Sequence, residues 1–189
     1  MRALLFFLVV SLTLSSGLAK AVALDIYLVT GAGYSDFDGN ENAPGAQGQD
    51  GVSDANFSLM AGVGLSLGER WTLEASYLEQ DLLPTINDAF YGVRGSAKRY
   101  LLSYRQPLTQ WLQLGIRGGV IDWEYEIRPL AISGTRWESH SGTDPYAGVF
   151  LRLGSERGGW LLGYDYSDHD GLEYALFWTG FELAWRLWD

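Results

Sequence analysis

Residues 56–80 constrain the fold of this chain more than any other stretch. Between positions 57 and 67 apolar side chains occupy the odd positions, whereas serine, glycine and methionine occupy the even positions. A short break at Gly68-Glu69-Arg70 follows, and the alternation resumes at Trp71. A period of two over such lengths is typical of β-strands with two unlike faces. The stretch predicts a tight hairpin, and each strand is long enough to cross a bilayer at a tilt, which takes about 9–11 residues.

The same alternation recurs along the rest of the chain. With the hairpin it predicts eight strands, at residues 24–35, 57–67, 71–80, 97–106, 111–127, 145–154, 160–167 and 177–187. The connections between these strands are alternately long and short. Beyond Val120 the apolar residues move to the other face, which either a bulge or a strand extension above the membrane would explain. The pattern predicts an all-β fold, an eight-stranded antiparallel up-and-down transmembrane β-barrel.

Tryptophan marks one end of the predicted strands. Trp71, Trp111 and Trp160 open the strand after each short turn, and Trp185 and Trp188 lie at the end of the chain. In an up-and-down barrel with an even number of strands, these positions fall at one rim. Because indole rings prefer the headgroup region of a bilayer, we expect them to form an interface girdle.

The first residues have the form of a secretory signal peptide. A basic start at Arg2 precedes an apolar run and then small residues at an A-x-A site. We expect cleavage after residue 21, or after residue 23 at a second such site. Residues 1–21 are therefore predicted to be a signal peptide and residues 22–189 the barrel. A retained membrane anchor is the alternative, although the apolar run is short for one.

Composition excludes several classes of function. The formal net charge of −10 opposes binding to nucleic acid through its phosphates. The chain has no cysteine, which excludes a disulfide scaffold and thiol chemistry. Its only lysines are Lys20 and Lys98, fewer than a water-exposed surface usually carries. This scarcity favours a membrane barrel over a soluble barrel such as a lipocalin, whose apolar face points inward.

An outward apolar face would place many charged side chains inside the barrel. The predicted interior charges are Glu74, Arg105, Arg117, Arg152, Asp165 and Glu182, together with Arg99 and Arg186. Side chains can fill an eight-stranded barrel, and an unpaired buried charge is very costly. We therefore expect a structural network of ion pairs. A gated ion path is the less favoured interpretation of the same residues.

The chain resembles the small outer-membrane β-barrels of Gram-negative bacteria, namely the transmembrane domain of OmpA and the OmpX/Ail group. The resemblance rests on Tyr27-x-x-x-Gly31-x-Gly33-Tyr34, on the eight-strand layout and on residues 180–185, which look like the last-strand signal read by the barrel assembly machinery. It implies an integral outer-membrane location. It also implies two kinds of partner, the outer-membrane lipids including lipopolysaccharide, and the assembly machinery during insertion.

Few residues form a pattern that indicates chemistry. His140 and Ser141 are adjacent, whereas the lipid A deacylases place one residue between their histidine and serine. Adjacent side chains on an extended segment point apart, which argues against catalysis. Asp36-x-Asp38-Gly39 and the similar run that begins at Asp168 depart from the spacing of calcium-binding loops. We therefore predict no catalytic residues, no metal site and no cofactor.

The long connections are the predicted place for function. They span residues 36–55, 81–96 and 128–144, and the aromatic residues assigned to this outer region are Tyr91, Trp123, Tyr125 and Trp137. Such side chains among acidic and glycine residues suit adaptable contacts with a partner. The sequence predicts a non-enzymatic barrel with a structural or surface-binding role. A lipid A-modifying enzyme and a narrow pore are the alternatives.

Overall fold

The computed structural model describes residues 24–39, 52–80, 92–128 and 137–186. Within these ranges the chain forms eight strands: β1 Leu24–Gly39, β2 Val52–Leu67, β3 Trp71–Gln80, β4 Gly92–Pro107, β5 Leu112–Arg128, β6 Glu138–Ser155, β7 Gly158–His169 and β8 Leu172–Arg186. Each strand pairs antiparallel with its neighbours in sequence, and β1 also pairs with β8, so the sheet closes into a barrel. The predicted fold class is confirmed. The predicted signal peptide lies outside the described residues.

The two faces of the barrel have opposite chemistry. Outward side chains such as Val63, Ile116 and Phe181 are large, apolar and exposed, whereas inward side chains such as Arg99 and Asp165 are fully buried. We call the outward apolar surface the lipid-facing belt. It begins at the tryptophan rim and its uppermost residues are Tyr34, Tyr77, Tyr100, Val120, Tyr166 and Phe177. The described ranges contain no helix with the length and apolar character needed to cross a membrane.

Strand β5 shows why the faces exchange their chemistry beyond Val120. Its pairing with β4 and β6 continues without a bulge from Leu112 to Ile127. The pleat is therefore unchanged, but the outward positions become charged from Asp122 onward and the inward positions become apolar from Ile121 onward. Of the two explanations open from sequence, the continuous pairing excludes the bulge over these residues and favours the extension above the membrane. Water replaces lipid outside the barrel at this level.

Other strands extend beyond the belt in the same way. We call these upper strand ends the extracellular extension, because the long connections of outer-membrane barrels face outward. It comprises residues 36–39, 52–56, 78–80, 92–98, 121–128, 138–144, 168–169 and 172–173. Much of what the sequence assigned to long loops is thus ordered barrel wall. The remainder of those connections, at residues 40–51, 81–91 and 129–136, lies outside the described residues.

Glycine is needed at two places in the sheet, one in a turn and one inside the barrel. The β7–β8 connection is a two-residue turn in which Asp170 and Gly171 have φ values of 55° and 89°, as type I′ hairpins require. Inside the barrel Gly148 lies directly beside the carboxylate of Asp165, and a Cβ atom there would overlap it. The glycine therefore leaves room for a buried charge.

Candidate functional site

The charge network nearest the tryptophan rim is organised by Glu182 on β8. Its Oε1 accepts hydrogen bonds from Arg105 Nη1 at 3.0 Å and from Arg152 Nε at 2.9 Å. Arg105 Nη2 also contacts Oε2 of the same carboxylate, and Arg152 Nη2 donates to the Ser155 carbonyl at 2.6 Å. The strands β4, β6 and β8 are therefore joined across the lumen. The Glu182 carboxylate binds two guanidinium groups and so links three strands of the barrel.

A second layer lies in the middle of the barrel around Asp165 on β7. Arg117 Nε donates to Asp165 Oδ1 at 2.8 Å, and the Tyr146 hydroxyl donates to Oδ2 at 2.7 Å. Arg99 Nη1 lies 3.7 Å from Oδ2 and donates to the Tyr146 hydroxyl at 2.8 Å. The guanidinium of Arg117 is also 4.3 Å from the ring centre of Trp178. Charge-assisted bonds and a cation–π contact thus hold this layer.

Of the eight predicted interior charges, seven lie inside the barrel and one lies at its rim. Glu74 is buried, and its Oε1 is 3.9 Å from Arg99 Nη2. Arg186 has the inward phase of β8, but its side chain is 52% exposed beside Asp25 and Glu156. The prediction of an interior position for Arg186 is therefore wrong. The strand has already reached the water-filled rim at this residue.

The predicted tryptophan girdle has one member with an additional role. The side chains of Trp71, Trp111, Trp160 and Trp185 all lie on the outer surface and are 47–58% exposed. Trp160 Nε1 donates to Thr179 Oγ1 on β8 at 2.5 Å, within the lipid-facing belt. The indole N–H of Trp160 therefore has a hydrogen-bond partner on the neighbouring strand. The fifth predicted member, Trp188, lies outside the described residues.

Sequence reasoning missed an aromatic cluster that fills the extracellular extension. We call it the aromatic plug, and it consists of Phe37, Trp123, Tyr125, His169 and Tyr174. Trp123 stacks on Tyr125 with ring centres 5.1 Å apart, and Phe37 lies 5.4 Å from Tyr125 and 5.2 Å from Tyr174. The prediction that Trp123 and Tyr125 are free for partners is wrong, because they are 2% and 0% exposed. The exchange of faces in β5 was the signal that could have located them.

His169 is held within the plug by a carboxylate and by rings. Its Nδ1 lies 3.1 Å from Asp144 Oδ2, and that same oxygen accepts a 2.5 Å hydrogen bond from Trp123 Nε1. The imidazole is 5.0 Å from the Trp123 ring and 5.6 Å from the rings of Tyr125 and Tyr174. Burial disfavours the charged imidazolium and lowers the pKa of His169, although the hydrogen bond to Asp144 acts in the opposite direction.

The residues weighed for catalysis and metal binding lie apart. Ser141 points outward, whereas His140 is on the inner face with Nε2 3.7 Å from Glu138 Oε2. Asp36 and Asp38 both project outward from β1. Across the described ranges, no three histidine, cysteine or carboxylate side chains are grouped to hold a metal ion. His140 and Ser141 therefore do not place a base beside a nucleophile.

The outer surface of the extracellular extension is polar. On β4 and β5 Arg94 Nη2 lies 2.6 Å from Glu126 Oε2. The guanidinium of Arg94 also lies 4.3 Å from the Trp137 ring centre. Outward carboxylates elsewhere in this part of the barrel belong to Asp36, Asp38, Glu79, Asp122, Glu124, Asp168 and Glu173. Of the aromatics predicted to meet a partner, Trp137 is half-buried on this surface and Tyr91 lies outside the described residues.

Comparison with solved structures places this barrel among known ones. Neisserial surface protein A is 8% identical with a TM-score of 0.64, over 84% of this chain and 96% of that one. The N-terminal barrel of Pseudomonas aeruginosa OprF is 13% identical with a TM-score of 0.57, over 85% and 97%. Ail, the attachment invasion locus protein of Yersinia pestis, is 12% identical with a TM-score of 0.57, over 87% and 100%. No family model and no curated protein sequence matches the chain.

The chain has the fold of the small outer-membrane β-barrels. At these identities the likeness is one of fold, so the site residues must be argued from this chain alone. The lipid-facing belt and the closed ladder are what a strand protein needs to span a bilayer, since no backbone group is left unpaired in lipid. The predicted resemblance and the integral outer-membrane location are confirmed.

Proposed function

We propose that this protein is a closed, non-enzymatic barrel that strengthens the outer membrane and presents its extracellular extension to partners. The observation that supports this most directly is the filling of the lumen. The network of Glu182 and Asp165 joins the walls within the membrane, and the aromatic plug follows above it. Buried side chains thus fill the described part of the lumen, which leaves the outer surface for binding.

Conductance tests the closed lumen. The protein is reconstituted in planar bilayers and its current is compared with that of the Trp123→Ala and Asp165→Ala variants. We expect no steady channel for the unmodified protein and brief openings in the variants, because each substitution removes a group that fills the lumen. A steady ohmic conductance of the unmodified protein would replace the proposal with the narrow pore.

Lipid A analysis tests the absence of enzymatic activity. Lipid A is compared by mass spectrometry from cells with and without the protein, and then from cells carrying His140→Ala. We expect the same acylation in all three, because Ser141 and His140 are on opposite faces of β6. A change in acylation that disappears in the His140 variant would favour the lipid A-modifying enzyme.

Two partners follow from the outer-membrane location. Lipids, including lipopolysaccharide in the outer leaflet, would contact the lipid-facing belt, and the assembly machinery would meet the last strand during insertion. The polar outer surface of the extracellular extension is the part that is available to other molecules. No cofactor is part of the proposal.

A further inference from the structure

A small polar cleft lies on the outside of the barrel, where strands β4, β5 and β6 rise above the lipid-facing belt. Its volume is about 300 Å³. Of the residues that line it, Ser96, Glu124 and Ser141 form one row across the sheet, and Lys98 and Asp122 form the row below, in which Thr143 is the next residue. Opposite side chains in such rows lie about 4.5–5.5 Å apart at their Cβ atoms, so all of them can reach one small ligand.

The lower row stands directly above the lipid-facing belt, where lipid headgroups are expected. On β4 Lys98 is the next outward residue above Tyr100, and on β5 Asp122 is the next above Val120. Tyr100 and Val120 are both exposed in the belt. An ammonium group in this position would be within reach of lipid phosphates, since the long Lys98 side chain can extend along the barrel surface. Lys98 is also the only lysine beyond residue 20.

The charged side chains of the cleft are not neutralised by ion pairs within the described part of the protein. In the described part of the chain, neither Lys98 nor Glu124 has an ion-pair partner within 4.0 Å. Asp122 Oδ1 accepts one weak hydrogen bond from Thr143 Oγ1 at 3.4 Å. One step higher on the same two strands, Arg94 and Glu126 do form a pair, at 2.6 Å. The cleft thus differs from its surroundings in holding both signs of charge unpaired.

We propose that this cleft binds the phosphoethanolamine group of a lipid. The phosphate would lie on the Lys98 ammonium, and the ligand's own ammonium would donate to the Glu124 and Asp122 carboxylates, with Ser96 beside them. A phosphate without an amine would meet two carboxylates and be repelled. A choline group, whose nitrogen carries only methyl groups, has no N–H to donate. The combination of charges therefore selects a primary ammonium next to a phosphate.

Two membrane lipids carry this chemistry. One is phosphatidylethanolamine, and the other is lipopolysaccharide that bears phosphoethanolamine. The inference deepens the proposed function and rests on it, because it assigns a ligand class to the outer surface of the extracellular extension.

Lipid retention by the folded full-length mature protein tests the inference. The protein is loaded in detergent with phosphatidylethanolamine, phosphatidylcholine or phosphatidylglycerol, and bound lipid is counted by native mass spectrometry. We expect phosphatidylethanolamine to be retained about tenfold more than either competitor, the equivalent of one charge-assisted hydrogen bond. Lys98→Gln and Glu124→Gln should each abolish this preference. Glu173→Gln is the control, since it removes an outward carboxylate at a similar height on β8.

A second arm identifies the source of the group. Lipopolysaccharide with and without phosphoethanolamine replaces the phospholipids in the same measurement. Preference for the modified form, for phosphatidylethanolamine, or for both supports the site if Lys98→Gln removes it. Equal retention of all lipids, or a preference that survives both cleft variants, overturns it. That failure would leave the conductance result unchanged, so the proposed closed barrel would stand or fall separately.

Discussion

Arg117 and Asp165 lie in one row across the sheet, on either side of Gly148, and bind through two parallel contacts. Arg117 Nε donates to Asp165 Oδ1 at 2.8 Å, and Nη2 contacts Oδ2. The two residues are 48 positions apart and lie on β5 and β7, and the pairing of both strands with β6 brings them together. A bidentate pair of this kind fixes the orientation of both side chains as well as their distance.

We predict that Asp165→Ala destabilises the barrel strongly. The substitution would leave Arg117 and Arg99 buried without their shared carboxylate, and breaking such a buried pair costs about 3–5 kcal/mol. The measurement is the free energy of unfolding by urea in lipid vesicles. Asp36→Ala is the control, because this carboxylate projects outward into water. Similar losses in the two variants would contradict the assignment of Asp165 to a paired interior site.

The alternation in the sequence predicts which face a residue occupies, but not which partner it meets. Period two assigned Arg105 and Glu182 to the interior, and both are buried there. Their contact joins residues 77 positions apart on non-adjacent strands. It depends on the stagger between strands, which sets the height of every inward side chain. A pattern within one strand carries no information about that stagger, so the pairing required the closed structure.

The aromatic plug shows a second limit of prediction from the sequence. The sequence located the exchange of faces beyond Val120, but Trp123 and Tyr125 were expected to contact partners because apolar residues above a membrane were assigned to loops. The ladder of β5 continues to Ile127, which turns these residues inward. Where the solvent outside a strand changes from lipid to water, the same pleat requires the opposite pattern. A continuous strand and a loop therefore look alike at that boundary.

We predict that Trp160→Phe is more costly than Trp111→Phe. Both substitutions keep a large apolar ring at the rim, but only the first removes the donor of the Trp160–Thr179 hydrogen bond. The expected difference is about 0.5–1.5 kcal/mol in the free energy of unfolding. Equal costs would mean that both indoles act only through the headgroup interface. Insertion rates into vesicles, measured in parallel, would separate anchoring from folded stability.

The stability of the aromatic plug should depend on pH through His169. The pKa of His169 is lowered by burial, so an opened plug binds a proton more readily than the closed one. The plug is then most stable above the ordinary imidazole pKa of about 6.5 and loses stability as the pH falls through that value. The ionisable groups around His169 are Asp144, Asp168, Asp170, Tyr125 and Tyr174.

Urea unfolding at about pH 7.5 and about pH 5.5 measures this dependence, since these values lie on either side of the ordinary imidazole pKa. We expect the midpoint to be lower at the acidic pH and the difference to shrink in His169→Gln. His140→Gln is the matched control, because this second histidine, on β6, also faces inward, opposite Tyr125, but is partly exposed. A pH dependence that is unchanged in His169→Gln would assign it to other groups.

The position of the membrane boundary can be tested on a single strand. Val149 and Thr143 both project outward from β6, six residues apart, and the first lies in the lipid-facing belt while the second lies above it. A lysine on the lipid face of a barrel costs about 2–4 kcal/mol near the midplane and about 0–1 kcal/mol near the interface. We therefore predict that Val149→Lys destabilises the barrel by the larger amount and that Thr143→Lys is nearly neutral.

The measurement is the free energy of unfolding in lipid vesicles. Both lysines occupy the same face of the same strand, so depth is the main difference between them, although Thr143→Lys also removes a weak hydrogen bond to Asp122. A large cost at Thr143 would raise the boundary into the extracellular extension and place Lys98 and its cleft within the hydrocarbon.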